Sequence, residues 1–204
     1  MDPVKRVRGR ALPLDRADVD TDQVIPSSYL KRIGRTGFAD GLFAAWRRDA
    51  SFVANDPRYA GASVLVAGAN FGCGSSREHA AWALRDGGFT VIVAPSFADI
   101  FRSNALRTGL VPVRLDAALV TRIMRAVEQD PAVEIDVDVE AGRVRVPSLG
   151  IDERLDLDDF TRSCLVQGLD EIGLTLRHEA DIAAYEARRP AWRPRIAPAG
   201  TGRG

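Results

Sequence analysis

Ser63-Val64-Leu65-Val66-Ala67-Gly68-Ala69-Asn70-Phe71-Gly72-Cys73-Gly74-Ser75-Ser76-Arg77-Glu78-His79-Ala80-Ala81-Trp82-Ala83-Leu84-Arg85 carries three patterns in a row: an apolar run, a turn with glycines at 68, 72 and 74, and a segment of helical composition. The run from 63 to 67 reads as a buried strand, and the segment from about 76 to 86 as a helix. A glycine-rich turn between strand and helix exposes backbone N–H groups along the helix dipole, which favours negative charge there. The stretch therefore predicts an anion site.

Three common glycine motifs do not fit. A phosphate loop requires Gly-Lys-Ser/Thr, and no lysine is near; a dinucleotide fingerprint starting at Gly72 requires glycine where Arg77 stands. The nucleophile elbow of hydrolases requires glycine at Glu78. What is left is two hydroxyls, Ser75 and Ser76, beside a guanidinium, Arg77. An arginine holds a carboxylate by two parallel hydrogen bonds, and a serine oxygen among convergent N–H donors has its alkoxide form stabilised. The same four residues also fit a capping box, with Ser75 as N-cap and Glu78 reaching back, worth about 1 kcal/mol to any helix. Local pattern leaves both readings open.

Outward from this stretch the alternation continues, with a strand over Thr90–Ala94, a helix over about 97–107 and a strand over Val111–Leu115. Apolar strands separated by helices predict parallel neighbours and right-handed crossovers. Gly87-Gly88 and Gly109 fall at expected helix ends. The loop at Pro95-Ser96 and the turn at Gly72–Ser76 are expected to border one crevice; on the second helix Arg107 reads as an ordinary surface residue, while Asn104 fits either that or a residue reaching the crevice. Val4–Leu14 reads as an edge strand, and Phe38–Phe52 as a short helix with Trp46 in the core. Beyond Asp116, a helix over Ala117–Gln129 precedes the alternating Val133, Ile135, Val137, Val139 and Val144, Val146 around the turn Ala141-Gly142. This predicts an antiparallel hairpin, packed as a small accessory sheet. Helices over Asp158–Gln167 and Glu179–Arg188 close the fold. The expectation is an α/β domain over 1–188, with a mainly parallel central sheet, flanking helices and that hairpin. A tail over 189–204, rich in Pro, Arg and Gly, is expected to be disordered.

Composition narrows the function. Over 204 residues, 28 basic and 28 acidic side chains cancel and no basic run dominates the body of the chain, which argues against a nucleic-acid partner. Two cysteines, Cys73 and Cys164, do not make a disulfide scaffold; neither a signal peptide nor a membrane span is evident, so the cytoplasm is the expected compartment. Asp15, Asp18, Asp20 and Asp22 lack the central glycine and closing glutamate of an EF-hand, and Asp15 and Asp18 read as a solvated turn. Cys73 reads as a packing residue of the turn, Cys164 as core, and His79 as a hydrogen-bonded structural residue, since no second histidine is near. Pro26–Gly37 is polar, basic and punctuated by turn residues, hence a surface loop.

Asn70-Phe71-Gly72-Cys73-Gly74-Ser75-Ser76-Arg77-Glu78-His79-Ala80 resembles the signature of the small subunit of 3-isopropylmalate dehydratase, the swivelling domain of the aconitase superfamily. Further matches follow in order at Asp20–Pro26, Arg35–Phe38, Ser96–Phe101, Asn104 with Gly109–Pro112, and Gly168–Leu176, so that the resemblance spans roughly residues 5–188. It implies a swivelling β/β/α domain and a hydro-lyase of leucine biosynthesis that dehydrates 2-isopropylmalate to an alkene and rehydrates it to 3-isopropylmalate. By the motif match Ser75 is the base, acting as alkoxide, Ser76 and Arg77 bind the substrate carboxylate, and Asp22 is a polar site residue. The loop at Pro26–Gly37 is similar to one that lies over the substrate, with Leu30 against an isopropyl group and Lys31, Arg32 or Arg35 as a second carboxylate clamp. The superfamily's Lewis acid is a 4Fe-4S cluster, which needs at least three cysteine ligands when one iron is open; with two cysteines this chain is expected to bind none, and a large partner subunit to carry it. Alternatives are a small subunit acting on citramalate or homocitrate, and a non-catalytic anion-binding module of the same fold.

Overall fold

A computed structural model describes residues 1–190, 192 and 193. The chain forms two compact units, Met1–Gly168 and Leu169–Gly204. In the first, seven strands form one sheet: β1 (Arg6–Leu14), β2 (Val64–Ala67), β3 (Val91–Ala94), β4 (Val111–Arg114), β5 (Glu134–Asp138), β6 (Arg143–Val146) and β7 (Ile151–Arg154), in the order β4-β3-β2-β1-β5-β6-β7. On the side of β1 that runs to β4 the pairs are parallel; on the side that runs through β5 to β7 they are antiparallel.

β1 belongs to both halves, and its sequence shows why. Arg6-Val7-Arg8-Gly9-Arg10 alternates polar and apolar and pairs with β5, whereas Ala11-Leu12-Pro13-Leu14 is fully buried and pairs with β2. Alternation suits a sheet wet on one face, and an unbroken apolar run suits a parallel sheet covered on both. The edge-strand expectation for Val4–Leu14 is thus corrected: β1 is central. Pro13 is tolerated because β5 pairs only with residues 6–10, and Pro112 because β4 is the outermost strand. The expected hairpin, β5 and β6, is also not an accessory sheet but a continuation of the main one. β7 escapes a pattern reading because Ile151-Asp152-Glu153-Arg154 buries one residue. Where the two halves join, Asp136 is buried, and Arg6 donates to its two oxygens at 2.8 and 2.7 Å. That bond holds the Asp136 carboxyl below the usual carboxylate range.

Six helices of the two units follow in chain order after the four-residue α1 (Thr21–Val24): α2 (Glu78–Asp86), α3 (Asp99–Arg107), α4 (Ala117–Gln129), α5 (Asp159–Gln167), α6 (Glu171–Leu176) and α7 (Glu179–Ala187). α2 and α3 form the crossovers β2-α2-β3 and β3-α3-β4 and pack on each other, while α4 packs on β1, β2 and β3. Phe38–Phe52 is not a helix but a series of single 3-10 turns, at Ala39–Gly41 and Trp46–Arg48. Phe43 breaks the periodicity with φ +52°, a conformation incompatible with a continuing helix. The ring of Trp46 stacks on Phe43 at 5.6 Å and carries the Arg16 guanidinium 4.3 Å from its centre, so it is half-buried rather than core.

In the second unit neither α6 nor α7 contains a buried residue; Ile172, Leu176, Ile182 and Tyr185 are all exposed. Asp170 caps α6 by accepting from Gly173 N at 2.7 Å. Of the tail expected to be disordered, residue 191 and residues 194–204 lie outside the described residues. No helix among the described residues is long and apolar enough to cross a membrane.

Candidate active site

Three loops leave the same ends of neighbouring parallel strands: residues 15–20 after β1, 68–77 after β2 and 95–98 after β3. Crevices at such strand ends are where open α/β sheets bind ligands. The pairing of the strands resumes within the loops, at the bridges Asp20↔Cys73 and Phe71↔Phe97. Gly72 N donates to Val19 O at 2.7 Å, Thr21 N to Cys73 O at 3.0 Å, Phe71 N to Ser96 O at 3.1 Å and Ala98 N to Phe71 O at 3.0 Å. Phe71 turns inward onto Phe101, ring centres 5.2 Å apart, which anchors the middle loop in the core. The expected adjacency of Pro95-Ser96 and Gly72–Ser76 is present.

Gly72 and Gly74 adopt φ +77° and +86°. At Gly72 the need is doubled, because a Cβ there would stand 2.1 Å from Phe101 Cγ. Past Gly74 the chain runs through the exposed Ser75 and Ser76 and enters α2 with Arg77 as N-cap, in an extended conformation and with no side chain capping the helix. The capping-box reading is therefore overturned: Ser75 stands two residues too early. Ala80 N donates to Arg77 O at 3.3 Å, while the N–H groups of Glu78 and His79 are left to solvent or to a ligand, at the positive end of a nine-residue helix.

Around this helix start the side chains divide into engaged and unengaged groups. The hydroxyls of Ser75 and Ser76 make no hydrogen bond among the described residues. Arg77, four-fifths buried, pairs through Nη1 with Asp22. Its Nε and Nη2, one full edge of the guanidinium fork, have no partner among the described residues. Thr21, fully buried, donates its hydroxyl to Ser75 O at 3.0 Å. Composition and spacing do not single out Thr21; the pointer to it is the resemblance, in which a Thr-Asp pair, here Thr21-Asp22, stands at the edge of the site.

Other expected residues sit differently. Arg32 is held by an exposed Asp40, donating at 2.6 and 2.7 Å to its two oxygens and at 2.6 Å to Gly37 O, and lies over the Tyr29 ring at 4.7 Å. Its guanidinium holds the Asp40 carboxyl below the ordinary value. Leu30 is half-buried and Lys31 exposed on the same 3-10 segment, Ser27–Lys31. Asp18 is exposed yet not merely a solvated turn, since it accepts from Asn70 Nδ2 at 2.8 Å. The His79 imidazole makes no hydrogen bond among the described residues; it packs edge-on to Phe38 at 5.3 Å and against Trp82 at 4.7 Å, so its role is aromatic packing. Asn104 is buried on the inner side of α3.

Burial, with Asp20 and Asp18 nearby, pushes the Cys73 thiol up, which disfavours the thiolate needed for a nucleophile or ligand. Cys73 and Cys164 are both free, and no group of three or more metal-ligating side chains exists among the described residues. The donor set does not fit an iron–sulfur cluster.

Comparison with known proteins agrees with this architecture. A family model described as the aconitase C-terminal domain matches residues 1–118, and one for the C-terminal domain of the 3-isopropylmalate dehydratase small subunit matches residues 171–199. The 3-isopropylmalate dehydratase small subunit of Frankia casuarinae is 60% identical over 93% of this chain and 96% of its own length. Those of Acidothermus cellulolyticus and Rubrobacter xylanophilus are 56% and 53% identical, over 95% and 96% of this chain. A crystal structure of 3-isopropylmalate dehydratase from Methanocaldococcus jannaschii superposes with a TM-score of 0.65 at 26% identity, covering 88% of this chain and 99% of that one. With such identity along nearly its whole length, the chain belongs to the family of 3-isopropylmalate dehydratase small subunits.

Proposed function

We propose that this chain is the small subunit of a 3-isopropylmalate dehydratase, in which Ser75 is the base and Ser76 and Arg77 bind a substrate carboxylate. The observation that carries the reading is the unengaged pair of hydroxyls beside the open edge of Arg77, at the uncapped start of α2. Abstraction of the proton next to a carboxylate leaves an electron pair that forms the C=C bond as hydroxide departs; readdition of water with the positions exchanged completes the isomerisation. An alkoxide at Ser75 is favoured by the helix dipole, by the adjacent backbone N–H groups and by the Arg77 charge. Ser75 is exposed in this chain, so closure by a partner strengthens each of these effects by excluding water.

Asp22 orients Arg77 by taking one guanidinium nitrogen, and the remaining edge meets the carboxylate side-on. On the loop that, by the resemblance, lies over the substrate, Leu30 offers apolar contact and Lys31 a cation for the second carboxylate, while Arg32, engaged on Asp40, braces the loop. A 4Fe-4S cluster on a large subunit would supply the Lewis acid that activates the leaving hydroxyl; no group of three or more metal-ligating side chains is found among the described residues of this chain. Two free cysteines suit the reducing cytoplasm, to which we assign the complex.

The test follows absorbance of the conjugated alkene with 3-isopropylmalate, using this chain, its large subunit, and the two mixed anaerobically. Activity is expected from the mixture alone, with Ser75→Ala assembling but silent, and iron analysis of this chain is expected to find none. Turnover of citramalate or homocitrate in place of isopropylmalate would correct the substrate. Absence of turnover with any of them, in an assembled complex with an intact cluster, would make the chain an anion-binding module.

A further inference from the structure

Three non-glycine residues among those described have positive φ, and two of them face each other at the crevice: Asp18 at φ +53° and Asn70 at φ +57°. Asn and Asp visit this conformation more readily than other side chains, but it is held only where the surroundings determine it, and such residues cluster at functional sites. Here they do so through a chain of hydrogen bonds across all three loops. Asp18 N donates to Ala69 O at 2.9 Å, Asn70 Nδ2 to Asp18 Oδ1 at 2.8 Å, and Asn70 N to Ser96 Oγ at 2.8 Å. Gly68 N donates to Arg16 O at 3.0 Å, and a Cβ on Gly68 would lie 2.5 Å from that oxygen, so the first two loops are in backbone contact.

The geometry points to Asp18 and Asn70 as a clasp that positions Ser75. They are positioning residues: nothing in their placement brings them onto a substrate, but they fix the entrance of the segment whose exit is fixed by Thr21 on Ser75 O. Between these pins the chain runs from Asn70 to Gly74, where Phe71 is buried and Gly72 is wedged against Phe101. The reach from clasp to Ser75 is short, and the intervening chain has little freedom to absorb a change at Asn70. Both clasp side chains are exposed, and their loss removes little apolar burial. A clasp of this kind governs the placement of the base more than the stability of the fold.

The inference rests on Ser75 being the base, and the experiment separates the two. In the complex with the large subunit, Asp18→Asn keeps an acceptor for Asn70 and is expected to turn over within about twofold of wild type. Asn70→Asp sets two carboxylates against each other. Its kcat is expected to fall about tenfold or more, with KM within about threefold, because misplacing a reacting group by a fraction of an ångström acts on the chemical step. The exchange variant, Asp18→Asn with Asn70→Asp, restores one donor facing one acceptor and is expected to recover kcat to within about threefold of wild type. All are expected to assemble and to melt within a few degrees of one another. Wild-type kcat in Asn70→Asp, or no recovery in the exchange variant, overturns the clasp; if Asn70→Asp does not fold, the exchange variant alone decides. Ser75→Ala is run alongside: retained turnover there overturns the assignment of the base, whatever the clasp variants do.

Discussion

Gly72→Ala tests the packing of the middle loop in numbers. Two penalties add at this position. At φ +77° an alanine is in the left-handed region, which costs about 1–2 kcal/mol. Its Cβ would stand 2.1 Å from Phe101 Cγ and 2.5 Å from Phe101 Cβ. Phe101 has no room to retreat: it is 2% exposed, edge-on to Phe71 at 5.2 Å and stacked on Phe97 at 6.4 Å. Overpacking of this kind costs about 1–3 kcal/mol, for a total of roughly 2–5 kcal/mol. Gly74→Ala is the control, since at φ +86° it bears the conformational penalty while its Cβ meets nothing closer than Asp20 Cβ, at 3.4 Å. The difference of roughly 1–3 kcal/mol corresponds to about 2–12 °C in Tm for a chain of this size. Thermal and denaturant unfolding of the two variants reads it directly. Adding Phe101→Leu to Gly72→Ala is expected to destabilise by less than the two changes summed, because the smaller side chain makes the room. Equal losses at Gly72 and Gly74, together with strict additivity at Phe101, would refute the steric argument.

Arg77→Lys keeps the charge and loses the planar fork; removal of one charge-assisted bond, about 1.5–3 kcal/mol, is expected to raise KM for the hydroxy acid roughly ten- to hundredfold in steady-state kinetics of the complex. Thr21→Val deletes the hydroxyl that holds Ser75 O, lowering stability by about 1 kcal/mol and kcat several-fold, whereas Thr21→Ser retains both. Asp136 titrates below its unfolded value because Arg6 bonds it, so its contribution is complete above about pH 4 and is lost as pH falls through the lower folded pKa. Asp136→Asn is expected to be less stable than wild type at pH 7 and to lose less further stability in that acid window, as followed by unfolding at stepped pH.

The parallel half of the sheet was legible because its strands are short unbroken apolar runs between glycine-marked helix ends, so β2, β3 and β4 fall within a residue or so of their expected bounds. β1 was misjudged for a physical reason. Alternation in Arg6–Arg10 reports one wet face and says nothing of which edges are paired, so a central strand and an edge strand look alike. Trp46 and Leu42 at helical spacing suggested a helix, but 3-10 turns give similar spacings and only Phe43's positive φ separates them. At the site, Ser75, Ser76 and Arg77 stood out because each carries chemistry in its side chain. Thr21 and Asp18 did not, since what they do is bond to a loop about fifty residues away, a relation that exists only once β1 and β2 are paired.

The shared strand also sets a timetable. β1 leaves the ribosome well before the partners of its two halves, which lie far downstream, β2 from Val64 and β5 only from Glu134, with Arg6 meeting Asp136 across 130 positions. Long-range pairings of this kind slow folding. Until Asp138 has emerged, the basic, alternating half of β1 has no partner, while its apolar half can already join the nascent parallel sheet. A truncated or stalled chain therefore exposes an open strand edge at the middle of the fold, where aggregation begins, and overproduction without adequate chaperone capacity should fail at that stage before it fails at assembly with a partner.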